Sequence, residues 1–383
     1  MKVRIDKAAL MVPLYRAQGA ADERSNQSNA NVTACVHIEA EEDRLILSAT
    51  DYEVTVNAEV SAEVIEAGAA LVSAKGLFQV VRALPDGATI ILTADENHRM
   101  RIEAGKGYFH LNGLPPYEFP PQNLDSAAGR VLITDKVHID SMLRHTLFSV
   151  STDDRRPAIS GILLEVEPEG EGQVRLRMVS TDGLRLSKVE RLVAAPDFDG
   201  NKTSCIIHRR GAAELQRLIE GSDPALRIEF IGRNLVFSSD RTRLQVRQVE
   251  ANFPDYTRVV PDKSDISVTL PRDALATAIR RVALLGVKGR DDHIQPLKLD
   301  IEPGRVSLEM NFPSYGDAHE EVEIDSWEGA PMKFLFNPKH LLDVCGVLSS
   351  DNITLELRDQ FSPCLIHSDE EPASQFVIMP MRQ

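Results

Sequence analysis

Three stretches of this 383-residue chain repeat one pattern, an apolar strand-like run passing directly into a helix-period segment. Val72-Ser73-Ala74-Lys75 precedes residues 77–84, Ile206-Ile207-His208-Arg209 precedes 212–219, and Phe334-Leu335-Phe336 precedes 339–348. Lys75 and Arg209 lie 134 residues apart, and Arg209 and Lys339 lie 130 apart. That period is too long for a solenoid repeat and suits a small domain used three times. Function therefore has to be read from a three-part scaffold.

The flanking elements recur in the same order. Each unit is expected to open with a helix, at 9–15, 139–150 and 275–285. Two strand-like runs follow each time, 34–40 with 44–48, 162–166 with 174–179, and 297–301 with 305–310, where alternating apolar residues argue half-buried strands. After the marker strand and its helix comes a second strand pair: 89–93 with 99–104, 227–231 with 235–238, and 353–357 with 363–367. Each unit closes beside proline, at Phe119-Pro120-Pro121, Phe253-Pro254-Asp255-Tyr256 and Met379-Pro380-Met381. The boundaries this places are 1–125, 126–262 and 263–383, each an α+β domain with two helices and many strands.

Units of roughly 130 residues bury a core without staples. The four cysteines, Cys35, Cys205, Cys345 and Cys364, form no C-x-x-C pair, which suits reduced thiols packed in the cores of a cytoplasmic protein. No run approaches the ~20 apolar residues that span a bilayer, and Met1 to Asp6 carries no apolar signal core. A soluble protein without membrane association is expected.

The formal net charge is −15, which taken alone argues against a nucleic-acid partner. Its distribution is uneven. The helix-period segments carry Arg16, Arg82, Arg144, Arg209, Arg210, Arg217, Arg280, Arg281 and Lys339, whereas acids crowd 39–43, 165–171 and 320–325. Two readings stay open, a basic surface sorted from an acidic one and ordinary solvation of amphipathic helices.

Enzyme chemistry finds no foothold. The ten histidines include no H-E-x-x-H and no zinc spacing with cysteine. Gly105-Lys106-Gly107 lacks the endings of a dinucleotide loop and of a P-loop, and reads as a turn between strands. Thr181-Asp182-Gly183 offers an acid but no base at a recognisable distance, and Asp-Gly is a turn pair. Neither a catalytic residue nor a metal or other cofactor is expected.

Several motifs nevertheless occur in one order: Ala49-Thr50-Asp51, the L-x-x-L-P-x-x-x-F-P run from Leu111 to Pro120, the run from Val179 to Leu186, Phe253-Pro254-Asp255-Tyr256-Thr257-Arg258-Val259, and Val377-Ile378-Met379-Pro380-Met381-Arg382-Gln383. With these the chain resembles, over its full length, the β subunit of bacterial DNA polymerase III, the replicative sliding clamp family. The resemblance implies a head-to-tail homodimer whose six domains close a ring around duplex DNA, with helices lining the hole and sheets outside. Contacts to DNA would be to phosphates, independent of sequence, and retention topological. Partners implied are the catalytic subunit of DNA polymerase III, an ATP-dependent clamp loader, and other replication and repair proteins bearing a clamp-binding motif.

Carried over residue by residue, the resemblance places Arg82, Arg209 and Arg210 toward DNA, with Lys75 close by and Arg24 in the loop 20–31. A peptide-binding groove is implied for Ile159, Thr181, Gly183, Leu184, Arg185, Leu186, Pro254, Arg258, Val259, Pro363, Val377, Ile378, Met379, Pro380, Met381 and Arg382. Apolar walls would come from Ile159, Leu186, Val259, Val377 and Ile378, pliable surface from Met379 and Met381, and anchoring donors from Arg185 and Arg258. Tyr108, Phe109 and Leu111 match one side of the subunit interface, Leu284 and Leu285 the other, with Lys106 and Glu320 as rim charges. The chain departs from the family pattern at Leu184, at Gln383 and in the loop 20–31. Two further readings stand beside a processivity clamp. One is a duplicated clamp specialised for repair or inhibitor resistance, and the other a scaffold that binds peptides but not DNA.

Overall fold

The computed structural model describes the whole chain except residues 22–31, 122–128, 197, 199–200, 221–222, 262, 287–294, 314 and 383, and the side chains of 285 and 286. Each third of the chain is a βαβββ unit used twice. In the first, Lys2–Asp6 runs into helix α1 (Lys7–Ala20), followed by Cys35–Glu41, Arg44–Thr50 and Val54–Ser61. The pattern restarts with Gly68–Ser73, helix α2 (Ala74–Ala83), then Thr89–Ala94, Arg99–Ala104 and Gly107–Leu114. The second third repeats it with Arg130–Asp135, α3 (Lys136–Thr146), Gly161–Gly170, Gln173–Thr181 and Arg185–Ala194, then Thr203–His208, α4 (Arg209–Ile219), Ala225–Ile231, Asn234–Ser239 and Thr242–Arg247. The last third has Ile266–Pro271, α5 (Arg272–Val282), Leu297–Glu302, Arg305–Phe312 and Gly316–Glu323, then Met332–Phe336, α6 (Pro338–Val347), Asn352–Leu357, Cys364–His367 and Ser374–Ile378.

Two expectations need correction. Each domain opens with a strand, not a helix: Lys2–Asp6, Arg130–Asp135 and Ile266–Pro271 alternate in burial and pass into their helices with no turn residue between. Apolar periodicity also left the third strand of every run unmarked. Gly107–Leu114 and Gly316–Glu323 show why, since most of their residues are polar or exposed and no apolar alternation marks them.

Helix starts are chemically plain. Ser73 caps α2 by accepting from Gly76 N at 3.1 Å, and Asn337 caps α6 with Pro338 in the first turn. Helix α1 continues through the buried Pro13, which costs one backbone bond and is held by tertiary packing. All four cysteines are buried and free, and burial pushes the Cys35 thiol up to about 11 and those of Cys205 and Cys345 up to about 12. Among the described residues no helix is long and apolar enough to cross a membrane.

Strands join the domains. Thr242–Arg247, which closes the second domain, lies antiparallel to Val54–Ser61 of the first, with Thr242 opposite Ala58 and Val246 opposite Val54. Ser374–Ile378, which closes the third, lies against Arg185–Ala194 of the second, with Ile378 opposite Arg185 and Phe376 opposite Ser187. One cross-joint bond recurs, Arg247 N to Glu53 O and Met379 N to Leu184 O, each 2.8 Å. Compactness consequently follows the joints. One unit gathers 1–140, 194–200 and 210–248, and the other 141–193, 201–209 and 249–383, so the second domain is shared between them.

A buried basic side chain bonds across each joint. Arg16, 4% exposed, donates to Thr242 Oγ1 at 2.7 Å, to Leu218 O at 2.9 Å and to Asp240 Oδ2 at 3.0 Å. His145 sits with Nε2 3.0 Å from Glu371 Oε2 and Nδ1 2.6 Å from Ser141 O. Removing one member of a buried pair strands the other charge. Arg16→Ala should therefore lower the unfolding free energy by about 3 kcal/mol, read as a lower urea midpoint at an unchanged slope.

Candidate functional site

The turn Thr181 to Arg185 is built by its own side chains. Thr181 Oγ1 accepts from Gly183 N at 3.0 Å and donates to Arg185 O at 2.6 Å, while Asp182 Oδ1 accepts from the amides of Leu184 and Arg185. Gly183 has φ +94°, the left-handed region that glycine enters without strain. An added Cβ there would also meet the Arg156 guanidinium at 3.3 Å. The turn is then tied to the C-terminal tail through Leu184 O and Met379 N.

Around the turn lies a cavity of about 440 Å³. Its apolar wall comes from Ile159, Leu186, Pro254, Val259, Pro363, Val377 and Met379, with Thr181, Gly183 and Arg258 at its polar margin. The floor is a cluster in which Leu186 and Val377 pack with Leu163, Val179, Ile206 and Leu365. Arg258 is exposed and held by Asp255 at 2.9 Å, leaving donors directed to solvent. The size and the mostly apolar lining suit a short peptide's side chains.

Several residues expected in this groove play other parts. Ile378 is fully buried in the third domain's core, because strand alternation turns Val377 to the cavity and Ile378 away from it. Arg185 borders the cavity, yet all three of its guanidinium nitrogens bond within the protein, to Asp182, Asp343 and Phe148 O at 3.0, 2.5 and 2.6 Å, so it builds the turn. Met381 and Arg382 line a separate cavity of about 570 Å³ with Leu335 and Phe361, and Met381 N donates to Leu335 O. Pro380 is half-buried between the two, and Leu184 is exposed. Four lining residues were not foreseen: Arg156, Phe253, Asp255 and Tyr256. Three of them stand in the Phe253 to Val259 motif, so the signal was present.

Tyr256 fixes that segment. Its hydroxyl donates to Glu165 Oε2 at 2.7 Å and its ring meets Phe253 edge-on. Burial, and then the bond to the Glu165 carboxylate, push the Tyr256 phenol up to about 12. Glu165 itself is lowered, since bonds from Arg177 and Tyr256 outweigh its burial.

The cations expected to face DNA are differently placed. Arg82 is exposed above the Phe78 ring at 5.8 Å, and Lys75 is exposed on the first turn of α2. Arg209 grips Asp154, whose carboxyl is held down at about 2, first by that bond and also by His208. Arg210 pairs with Asp51 at 2.6 Å and caps the end of α1 through the carbonyls of Ala20 and Ala21. Arg24 lies outside the described residues.

The expected interface residues lie on Gly107–Leu114 and its hairpin turn in the first domain, and on the 3-10 turn 283–286 and Gly316–Glu323 in the third. On Gly107–Leu114, Tyr108 and Phe109 are exposed, with Arg101 stacked 4.6 Å over Tyr108 and Leu111 half-buried; Lys106 is exposed at the adjoining turn. Leu284 is 65% exposed, and Glu320 is held by Arg281 at 3.0 Å; the Leu285 side chain is outside the described set.

The raised Tyr256 value has a pH consequence. A phenol whose folded value lies above the ordinary value of about 10 adds stability fully present below that pH and lost as pH rises through about 12. Alkaline titration at the tyrosinate band should show one late component that disappears in Tyr256→Phe, and the wild type's stability advantage over that variant should be full below about pH 10 and vanish as pH rises through about 12.

Comparison with known proteins follows the same division of the chain. Family models for the DNA polymerase III beta subunit match in three parts, the N-terminal domain at 1–125, the central domain at 134–255 and the C-terminal domain at 257–382. The chain is 32% identical over 383 residues to the beta sliding clamp of Caulobacter vibrioides and 29% identical over 386 residues to that of Escherichia coli K12, covering all of both proteins in each case. Among solved structures, the clamp of Bartonella birtlesii bound to griselimycin superposes with a TM-score of 0.89 at 31% identity over all of both chains. The beta subunit of Thermotoga maritima gives 0.88 at 25% identity, over all of this chain and 99% of that one. The chain belongs to the DNA polymerase III beta subunit family, the bacterial sliding clamps.

Proposed function

We propose that two copies of this chain close head to tail into a ring that encircles duplex DNA and tethers the replicative polymerase and other motif-bearing proteins through the groove at Thr181 to Leu186. The observation that carries it is the repeated joint register together with two strands that have no cross-domain partner among the described residues, Gly107–Leu114, which pairs only within its own domain, and Gly316–Glu323. Gly107–Leu114 closes the first domain, as Thr242–Arg247 closes the second, and Gly316–Glu323 stands in the third domain where Val54–Ser61 stands in the first. The hairpin tips Ala104 with Gly107 and Ser239 with Thr242 correspond, as do the pairs Arg305 with Glu323 and Arg44 with Ser61. Applying the internal register puts Gly107 opposite Glu320, Phe109 opposite Ala318 and Leu111 opposite Gly316 of a second copy. Large residues then meet small ones, and Lys106 comes beside the Glu320 and Glu321 carboxylates.

No catalytic role is assigned to the chain itself, and loading would need an ATP-driven partner. Lys75, Arg210 and Lys339 occupy the same place on α2, α4 and α6, which supports a repeated cationic lining toward phosphates. The domain limits 1–125, 126–262 and 263–383 belong to this reading.

The test is retention on nicked circular duplex through high-salt gel filtration after loading with the cognate loader and ATP. Co-elution with circles and loss on linearisation is expected; failure on circles with an active loader would overturn the reading. Phe109→Lys, on the exposed edge, should give monomers in sedimentation at low concentration without changing the far-ultraviolet dichroism. Val259→Asp should weaken a fluorescent peptide rich in Gln, Leu and Phe by about tenfold or more, leaving the dimer intact.

A further inference from the structure

The three opening helices are held in one register, and this identifies a joint residue that the motifs do not reveal. The first amide of each donates to the same loop: Lys7 N to Ala88 O at 2.8 Å, Lys136 N to Pro224 O at 2.8 Å and Arg272 N to Asp351 O at 2.9 Å. Nine residues further along stand Arg16, His145 and Arg281. The first two are the buried basic side chains that bond across the internal joints, to Asp240 and to Glu371. Arg281, at the third position, is 57% exposed at its side chain and turns back to Glu320 of its own domain at 3.0 Å.

We infer that Arg281 is the spanning cation of the joint between subunits, seated on the turn Ala104 to Gly107 of a second copy, and that this turn lacks the carboxylate that locks its counterpart. The inference rests on the head-to-tail reading. Asp240 and Thr242 accept from Arg16, and the hairpin register places Gly105 and Gly107 at their positions in the first domain. Of the three groups that hold Arg16, only the carbonyl corresponding to Leu218 O, that of Ala83, remains for Arg281. Its charge is balanced instead by Glu320, on the strand beside the joint. The subunit joint thus lacks the carboxylate partner that both internal joints supply, Asp240 to Arg16 and Glu371 to His145.

The backbone allows the missing carboxylate to be restored. Asp240 adopts φ +52° and Gly105 φ +60°, so the chain already carries an aspartate in this conformation at the equivalent turn. Nothing lies within 4 Å of a Cβ built on Gly105. Aspartate and asparagine are the residues that tolerate this region best after glycine.

The experiment is sedimentation equilibrium on the full chain, comparing wild type with Gly105→Asp, Gly105→Asn, and Gly105→Asp combined with Arg281→Gln, with folding checked by thermal melts. Gly105→Asp should lower the dimer Kd about fivefold, Gly105→Asn should not, and Arg281→Gln should abolish the gain. An equal gain with asparagine, a gain that survives Arg281→Gln, or no gain in a folded Gly105→Asp dimer would overturn the assignment. A wild-type chain that stays monomeric at every concentration would instead overturn the head-to-tail reading beneath it.

Discussion

The strands that close the second and third domains each pair with a strand of the preceding domain, and that cross-joint pairing governs the rest. Unpaired strand edges are avoided or paired in native proteins, and here two are paired inside the chain, Thr242–Arg247 on Val54–Ser61 and Ser374–Ile378 on Arg185–Ala194. The opening helices sense the same pairing, because Arg16 and His145 have carboxylate partners for their buried nitrogens only once the neighbouring domain supplies Asp240 or Glu371. Strand register and buried charge therefore select one geometry at each joint. A chain with three copies of such a joint surface and two internal joints leaves one of each edge over, which is the physical basis for a closed assembly of two.

The repeat also shows what sets the groove beside one joint apart from the corresponding place at the other. Thr50-Asp51-Tyr52-Glu53-Val54 repeats the backbone of Thr181 to Arg185, including the cross-joint amide bond. Its side chains differ at several positions that shape the cavity. Tyr52 takes φ +74° where Gly183 leaves space, Thr55 replaces Leu186, and Gln245 and Arg247 replace Val377 and Met379. Asp51 is also drawn to Arg210, whereas Asp182 is used to fix Arg185 within the turn. The groove is thus a sequence decision laid over a shared backbone, made by a few apolar residues and one glycine.

That distinction accounts for what could be read from the sequence. The threefold period, the two helices per domain and the first two strands of each run were legible because apolar periodicity marks buried faces. The opening strands and the third strands were not, since they carry mixed residues and owe their form to pairing partners far along the chain, as Gly316–Glu323 shows. Motif resemblance brought together Ile159, Thr181, Leu186, Pro254, Val259 and Val377, which the fold does assemble around one cavity. It assigned Ile378 to the wall because a motif has no inside and outside, whereas a strand does. It also counted Arg185 as a binding donor, because sequence shows a guanidinium but not the two carboxylates and the carbonyl that occupy it.

The same accounting bears on how an acidic chain would hold DNA. Arg209 and Arg210 face carboxylates at hydrogen-bond distance, Asp154 and Asp51, so a phosphate has to compete with a group already in place. Exchanging one anion for another at a partly exposed guanidinium yields little net free energy. Contacts of that kind are individually weak, sequence-independent and quickly exchanged, which suits movement along a duplex and is poorly suited to residence on it. Residence would then have to come from the closed chain of joints, so the strength that matters is that of strand edges and their spanning cations, and the DNA-facing charges only set how freely the ring moves.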